Sequence, residues 1–436
     1  MSFDQTVTLA VLAVVVAMLI WDRVRSDVVA LAGAAVLLVS GAVRPSEVQG
    51  AFGSPAIITL ASLFVIVYAI ELSGLLDRLI TGATHLCRRI GAAGLWMLIG
   101  LCGVLSAFLN NTPIVVLAAP VIKETAETLS LSARRFLIPL SYVAVLGGTC
   151  TLIGTSTNLL VNDMARVAGQ PQFGLFDITP VGVTISIAGA IYLYFASGKL
   201  ARLPAENEPV GIEQALESPS ARMDSQPGSG KVFVEHRPLK VWRALASVAI
   251  FVGAVTAAAM GWTPIAAATF AGAVLLILLR VITAEEAYSG LRPDVLLLIV
   301  GMVVIGIAMQ ESGLAAVATQ ALVRSVEPMG PLLALIALYG VTLFLTELLS
   351  NATIAVLVTP IAVALAESLG VSPRPFLVAV MMAGSAAFAT PFGYQTNVIV
   401  YKMGGYSYMD FVRIGLPLNL ITWVVGVAAI AVFFPF

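Results

Sequence analysis

The sequence predicts an all-α polytopic membrane protein made of two inverted five-span repeats, each with a re-entrant hairpin and a broken helix. Three observations support this prediction: the apolar composition, two apolar stretches that polar residues interrupt, and a repeat that relates the two halves of the chain. Hydrophobic residues make up 59% of the 436 residues and charged residues only 11%. Soluble domains have about 45–50% apolar and about 25% charged residues, so a soluble fold is rejected.

Ten apolar runs have the composition of full membrane spans, since a helix needs about 20 mostly apolar residues to cross the hydrocarbon core. With the N-terminus outside, 19 of the 23 Lys and Arg residues fall in cytoplasmic loops, as the positive-inside rule requires. We therefore expect a multi-pass protein of a bacterial inner (plasma) membrane with both termini in the periplasm. The runs are 6–21, 28–43, 56–74, 136–165, 178–198, 241–259, 263–281, 294–314, 375–402 and 412–434.

Two further apolar stretches, 93–122 and 331–366, carry polar residues in their middle. The interruptions are Asn-Asn-Thr at 110–112 and Ser-Asn-Ala-Thr at 350–353. Each arm has only about 15 residues, which is short for about 30 Å of hydrocarbon. The pattern predicts two re-entrant hairpins with polar tips at membrane depth, where irregular backbone is stable only if it lines a cavity inside the protein.

The two halves match at an offset of 239 or 240 residues. Asn111 aligns with Asn351, and the segment 154–158 (GTSTN) aligns with 393–397 (GYQTN). Because each half has five spans, an odd number, the second half must sit upside down relative to the first. The predicted division is a first repeat over 1–201, a cytoplasmic linker over 202–240, rich in Glu, Pro, Ser and Gly, and a second repeat over 241–436.

Polar residues inside apolar surroundings form four clusters, namely the two hairpin tips and two breaks at 149–158 and 390–397. Glycine frees the backbone, and unwound carbonyls coordinate a cation. The N-termini of the second hairpin arms favour an anion. No Lys or Arg lies at the tips, so a dianion there needs another positive charge, and co-bound sodium ions are the natural source. A lone Asn or Ser in a membrane helix usually forms a hydrogen bond to a neighbouring helix. Four symmetric clusters instead indicate a binding site.

Glu347, beside Thr346, is the one acid near these clusters. Acids inside the membrane are candidates for function by default. Its repeat mate is Ala107, however, so a structural bond to backbone amides is an equally good interpretation. The two alternatives stay open at the level of the sequence.

At these residues the sequence resembles the divalent anion/sodium symporter family of the ion-transporter superfamily, over essentially all of the membrane portion. The motifs that carry the resemblance are the paired hairpin tips, each followed about 45 residues later by a Gly-x-x-x-Asn break. The resemblance implies sodium as coupling ion, a small divalent anion as cargo, and an elevator-type movement of transport domains against a fixed scaffold. It also implies a homodimer, with contacts expected mainly from the spans 56–74 and 294–314.

The resemblance further implies the residues that hold each ion. One sodium ion would contact Ser106, Asn111 and the carbonyl of Gly154. A second would contact Thr346, Asn351 and the carbonyls of Leu349 and Gly393. The substrate would lie between Asn110, Asn111, Ser350 and Asn351, with Thr155, Tyr394 and Gln395 within reach.

The breaks depart from the dicarboxylate carriers of this family, which have two prolines before the Asn. The GYQTN form resembles the sulfate-permease-like branch, so sodium-coupled import of sulfate or a related inorganic anion is favoured. Two alternatives remain: a sodium-coupled C4-dicarboxylate or citrate transporter and, less favoured because it needs a titratable acid at the site, a cation/proton antiporter or metalloid extrusion carrier. No nucleophile–base pair or metal cluster indicates an enzyme, and no nucleic-acid partner is expected.

Overall fold

The computed structural model describes residues 2–21, 24–202, 238–314 and 330–436. Throughout these ranges the regular structure is helical, without any strand, which confirms the predicted all-α class. Most of the predicted linker 202–240 lies outside the described residues, so its cytoplasmic position stays a prediction.

The first half of the chain forms ten described α-helices. Apolar residues dominate most of them, and local caps set their starts: α4, for example, begins with a proline after Ser54, whose hydroxyl accepts a hydrogen bond from the amide of Ile57 at 3.2 Å. The helices are α1 (Phe3–Trp21), α2 (Ser26–Ser40), α3 (Pro45–Phe52), α4 (Pro55–Leu72), α5 (Leu75–Ile90), α6 (Ala92–Ser106), α7 (Asn111–Thr128), α8 (Arg134–Gly148), α9 (Ser156–Val167) and α10 (Thr179–Ala196), followed by a short 3-10 helix (Ser197–Arg202).

The second half forms nine described α-helices whose order follows that of the first. The second hairpin arms, α7 and α16, begin at Asn111 and Asn351, which are repeat mates. The inverted orientation of the two halves stays a prediction. The helices are α11 (Val241–Ala259), α12 (Ile265–Leu278), α13 (Ala284–Gly290), α14 (Pro293–Glu311), α15 (Gly330–Leu345), α16 (Asn351–Ser368), α17 (Arg374–Gly384), α18 (Gln395–Met403) and α19 (Tyr408–Phe433).

All four predicted interruptions are present. The arms α6 and α7 meet at 107–110, and the arms α15 and α16 meet at 346–350. The breaks at 149–155 and 385–394 divide α8 from α9 and α17 from α18. The arms α7 and α16 have 18 residues each rather than about 15, because the helix continues through the polar residues that follow the apolar stretch.

Six helical segments among the described residues are long and apolar enough to cross a membrane, compared with ten predicted spans. The predicted runs 136–165 and 375–402 fall short because each is divided at its break. Several other predicted spans form shorter apolar helices, among them α1, α2 and α12. The six segments are Pro45–Leu72, Thr179–Ala196, Val241–Ala259, Pro293–Glu311, Asn351–Ser368 and Tyr408–Phe433.

The helices pack into two groups. Helices α1–α4 pack with α11–α14, and we call this set the framework group. Helices α5–α10 pack with α15–α19, and this set, which contains both hairpins and both breaks, is the hairpin group. Each group combines helices of both halves, and the groups meet where α9 contacts α4 and α14 and where α5 contacts α4.

The helices α4 and α14, which correspond to the spans predicted to form the dimer contacts, have few exposed residues within one chain. Among the described side chains of α4 only Pro55 and Ile58 are exposed, and on α14 only Pro293, Gln310 and Glu311 are exposed. Their middle turns are covered by neighbouring helices of the same chain. The homodimer, and the helices that would form its contacts, stay a prediction.

Candidate functional site

A cavity of about 360 Å³ lies between the framework group and the hairpin group. The framework side contributes mainly apolar side chains of α4 and α14, such as Leu63, Phe64 and Leu298. The hairpin side contributes the two tips and the two breaks. Six of the seven predicted substrate ligands line the cavity: Asn110, Thr155, Ser350, Asn351, Tyr394 and Gln395.

The two tips present helix N-termini to this cavity. The Asn110 side chain accepts a hydrogen bond from the amide of Thr112 at 3.3 Å and so caps α7. The Ser350 hydroxyl accepts from the amide of Thr353 at 3.2 Å and caps α16. Since residues of both first turns line the cavity, the positive ends of both helix dipoles face it, which favours an anion.

Asn111 is the predicted ligand that does not line the cavity. It is almost fully buried and accepts a short hydrogen bond from the Ser106 hydroxyl. Its amide nitrogen donates to the hydroxyl of Tyr394 at 2.9 Å. Asn111 is therefore connected to the cavity by its hydrogen bond to Tyr394, which lines the cavity, and does not line the cavity itself.

Asn351, the repeat mate of Asn111, differs in one respect. Its amide oxygen accepts from the Thr346 hydroxyl at 2.8 Å, as Asn111 accepts from Ser106. Its amide nitrogen is buried and has no hydrogen-bond partner, although a buried donor left unpaired is costly. Asn351 lines the cavity, so this buried, unpaired donor lies beside the space in which an anion would bind.

Oxygen atoms converge behind the first tip. A Cβ atom added to Gly154 would lie against the carbonyl oxygen of Gly148 and 2.9 Å from that of Ala107. A Cβ atom added to Gly148 would lie 2.9 Å from the amide oxygen of Asn111 and 3.2 Å from the carbonyl oxygen of Gly154. These neutral oxygens, with the Ser106 hydroxyl, fit a sodium ion of the kind that unwound helices coordinate.

The second predicted cation site also contains a hydroxyl that is bonded to the Asn of its tip, and this hydroxyl contacts a backbone carbonyl as well. Thr346 is fully buried, and its hydroxyl also lies 2.9 Å from the carbonyl oxygen of Gly384. A Cβ atom added to Gly393 would lie 3.0 Å from the Thr390 hydroxyl and 3.3 Å from a carboxylate oxygen of Glu347. The carbonyl of Leu349 lies in the loop before the tip, and its role as a ligand stays a prediction.

The Asn of each break holds the unwound backbone in place. The Asn158 amide donates to the carbonyl of Thr151 at 2.9 Å. Its repeat mate Asn397 donates to the carbonyls of Ala387 at 2.9 Å and Thr390 at 3.3 Å. These side chains are fully buried and satisfy carbonyls that the interrupted helix leaves without an intrahelical partner.

The second break also contacts the first hairpin. Besides the bond between Tyr394 and Asn111, the Gln395 amide oxygen accepts from the Thr112 hydroxyl at 3.1 Å. Thr112 is not among the predicted ligands, and its only signal in the sequence is its place in the first tip. These two bonds join the halves of the chain at the site itself.

Glu347 has the structural role that the sequence left as one of two alternatives. One of its carboxylate oxygens accepts from the amide of Ala389 at 2.7 Å and from the side chain of Asn419 at 2.6 Å. The other accepts from the amide of Thr390 at 2.9 Å. Glu347 does not line the cavity, so it positions the second break.

Four charged residues of the framework group also line the cavity. Arg25 pairs with Asp27 at the start of α2, and Arg292 pairs with Asp294 at the start of α14. The sequence analysis used Arg25 and Arg292 only to orient the spans. Their place in the cavity follows from the packing of α2 against α14, for which the sequence carries no local signal.

Several proteins are similar to this chain. An uncharacterized transporter of Synechocystis, sll0640, is 26% identical over 96% of this chain and 95% of its own length. The sodium-dependent dicarboxylate transporter SdcS of Staphylococcus saprophyticus is 24% identical over 91% of this chain and 79% of its own length. Sodium/sulfate cotransporter 1 of Chlamydomonas reinhardtii is 34% identical, but only over 36% of this chain and 19% of its own length.

The crystal structure of the Alcanivorax borkumensis YdaH transporter superposes with a TM-score of 0.59 over 88% of this chain and 86% of that one, at 14% identity. This likeness shows the fold. The family model described as citrate transporter matches residues 16–370 and 349–436, which together cover nearly the whole chain. With the named relatives, it confirms the resemblance to anion carriers and makes the chain a transporter rather than an enzyme. The chain belongs to the citrate transporter family.

Proposed function

We propose that this protein is a sodium-coupled secondary transporter that imports a small divalent anion, with sulfate or a related inorganic anion favoured. One observation carries the proposal. Two helix N-termini face one cavity, which Asn351 also lines and beside which its buried amide nitrogen is unpaired, while oxygen atoms cluster behind Asn111 and Asn351. An anion and cations would thus bind side by side, separated by a single side chain.

Binding side by side supplies the coupling. The tips and breaks carry no Lys or Arg, so a dianion at the tips would be neutralised by the bound cations. Two opposite unit charges about 4 Å apart attract by about 4 kcal/mol at an effective dielectric constant of 20. Such an attraction makes each ion bind far more tightly when the other is present, and this linkage is reciprocal.

The division into two helix groups supports an elevator-type movement. All the predicted ligands belong to the hairpin group, so they would move together. Apart from two arginine–aspartate pairs, the framework side of the cavity is apolar, with Leu60, Val67 and Val295 among its residues. This apolar part of the wall makes no directional hydrogen bonds that a sliding movement would have to break. The membrane would be a bacterial inner membrane with both termini in the periplasm.

A sodium-coupled C4-dicarboxylate or citrate transporter is the second candidate. It is favoured by the description of the family model and by the similarity to SdcS along most of the chain. The side chains of Tyr394 and Gln395, which both line the cavity, make the site narrower than small residues would. This narrowing favours sulfate.

We expect sulfate to compete better than succinate or citrate for uptake into proteoliposomes that contain the purified protein, and uptake to require sodium. The measurement is inhibition of radiolabelled sulfate uptake by each unlabelled anion, with a sodium gradient and with potassium in its place. If succinate or citrate inhibits at a lower concentration than sulfate or thiosulfate, the second candidate replaces the first. If no dianion is taken up with sodium, both candidates are wrong.

We expect Glu347→Gln to lower the free energy of unfolding by about 1–3 kcal/mol, because the new amide group turns a donor toward backbone amides that need an acceptor. The pH dependence of uptake should stay that of the unchanged protein. Asn419→Ala is the matched control, since it removes a bond to the same carboxylate without removing the acid. A pH profile altered in Glu347→Gln alone would instead favour the proton-exchanging alternative.

A further inference from the structure

Two arginine–aspartate pairs line the cavity on the framework side, apart from the predicted ligands. We propose that Arg25, together with Arg292, forms an anion-docking site at one mouth of this cavity, where a dianion binds on its way to or from the tips. The inference rests on the proposed function, because the ligand is the same dianion. It adds a second site, on the other helix group.

The geometry of the first pair exposes the positive charge and hides the negative one. Arg25 binds Asp27 through two nitrogens, Nε at 3.1 Å and Nη2 at 2.9 Å. The side chain of Arg25 is 65% exposed, whereas that of Asp27 is only 8% exposed. An ion in the cavity would therefore contact the exposed guanidinium group, whereas the carboxylate that fixes this group is buried.

The second pair lines the same cavity but exposes both of its charges about equally. The Nη2 atom of Arg292 lies 3.2 Å from Asp294, and these side chains are 30% and 25% exposed. The pKa of Arg25 is raised, chiefly by its hydrogen bond to Asp27 and its attraction to that charge, and to a smaller extent by Asp294. Asp294 therefore lies close enough to Arg25 to attract its guanidinium group.

The chemistry of this patch complements that of the tips. Arg25 and Arg292 are the basic residues among those that line the described cavity. Planar guanidinium groups match the oxygens of sulfate or a carboxylate and form charge-assisted hydrogen bonds with them. Since both arginines belong to the framework group, movement of the hairpin group would change their distance from the tips. They would therefore hold an anion only while the site is open to their mouth of the cavity.

The location predicts an effect at one membrane face only. The loops that carry Arg25 and Arg292 are both cytoplasmic by the charge count of the sequence. We expect Arg25→Gln to raise the half-saturating sulfate concentration about tenfold for transport that starts at the face carrying these arginines. For transport that starts at the opposite face, the half-saturating sulfate concentration should change by less than about twofold. The half-saturating sodium concentration should also change by less than about twofold.

The test compares initial rates of sodium-driven sulfate uptake in inside-out and right-side-out vesicles from the same cells, at several sulfate concentrations. Arg25→Lys should lose less affinity than Arg25→Gln, because it retains the charge but not the planar guanidinium group. Arg292→Gln should raise the half-saturating sulfate concentration at the same membrane face as Arg25→Gln. Arg413→Gln removes an exposed arginine that does not line the cavity. It should leave the half-saturating sulfate concentration unchanged at both faces.

Three results would overturn the docking site. The first is an Arg25→Gln protein that matches the unchanged protein at both faces. The second is an equal loss of affinity at both faces. Arg25 would then act in the central site or stabilise the fold as a whole. The third is a loss in Arg25→Lys as large as in Arg25→Gln, since only the bond to Asp27 would then matter. Failure of the unchanged protein to transport a dianion would instead reject the proposed function, and the docking site with it.

Discussion

Asn111→Ala and Asn351→Ala should each weaken anion affinity and sodium dependence together, by about tenfold to a hundredfold in binding. Losing one hydrogen bond to a charged group costs about 1.5–3 kcal/mol, and 1.4 kcal/mol is a factor of ten. Each side chain lies between a predicted cation cluster and the cavity, so its removal affects both ions. Because binding linkage is reciprocal, the two losses must accompany each other.

The two Asn variants should also differ from each other. The amide nitrogen of Asn351 is unpaired, whereas that of Asn111 already donates to Tyr394. We therefore expect the larger loss of anion affinity in Asn351→Ala, and in Asn111→Ala an additional disturbance of Tyr394. Gln395→Ala is the control, since we assign Gln395 to the anion alone, and sodium binding measured without substrate should remain nearly intact.

The measurement is sodium binding and sulfate uptake, both normalised to the amount of folded protein. If the Asn side chains only stabilise helix contacts, the variants will be less stable but the surviving folded protein will transport normally. Normal sodium-driven uptake per folded molecule in both Asn variants would remove these residues from the site.

Asp410→Asn should lower the free energy of unfolding by about 3–5 kcal/mol, because it leaves a buried arginine without its counter-ion. Asp410 lies 2.6 Å from Arg134, and their side chains are only 3% and 10% exposed. The same carboxylate accepts from the amide of Ser407 at the start of α19. This ion pair joins α8 of the first half to α19 of the second.

The chain contains a matched control in Arg374, the repeat mate of Arg134. Arg374 pairs with Asp177 at 2.8 Å, but these side chains are 32% and 42% exposed. Asp177→Asn should therefore change the free energy of unfolding by only about 0–1 kcal/mol. Thermal unfolding of both variants in the same detergent tests the contrast. Equal losses would mean that burial does not determine the strength of these two pairs.

The sequence alone determined the all-α class, the four interruptions and most of the residues that line the candidate site on the hairpin side. These features depend on local properties: a run of apolar residues, a polar residue that caps a helix, a glycine in a break. The caps Asn110 and Ser350 act on the amides of Thr112 and Thr353 in their own first turns. A repeat within one sequence adds a second, independent instance of each local pattern.

Only the tertiary structure decided how these elements meet. It paired Tyr394 with Asn111, attached Glu347 to the second break, and brought Arg25 and Arg292 into the cavity. Asn111 and Tyr394 are 283 residues apart in the chain. Contacts at such separations depend on which helix faces pack together, and apolar helices in a membrane carry little amphipathic pattern that would reveal those faces from sequence.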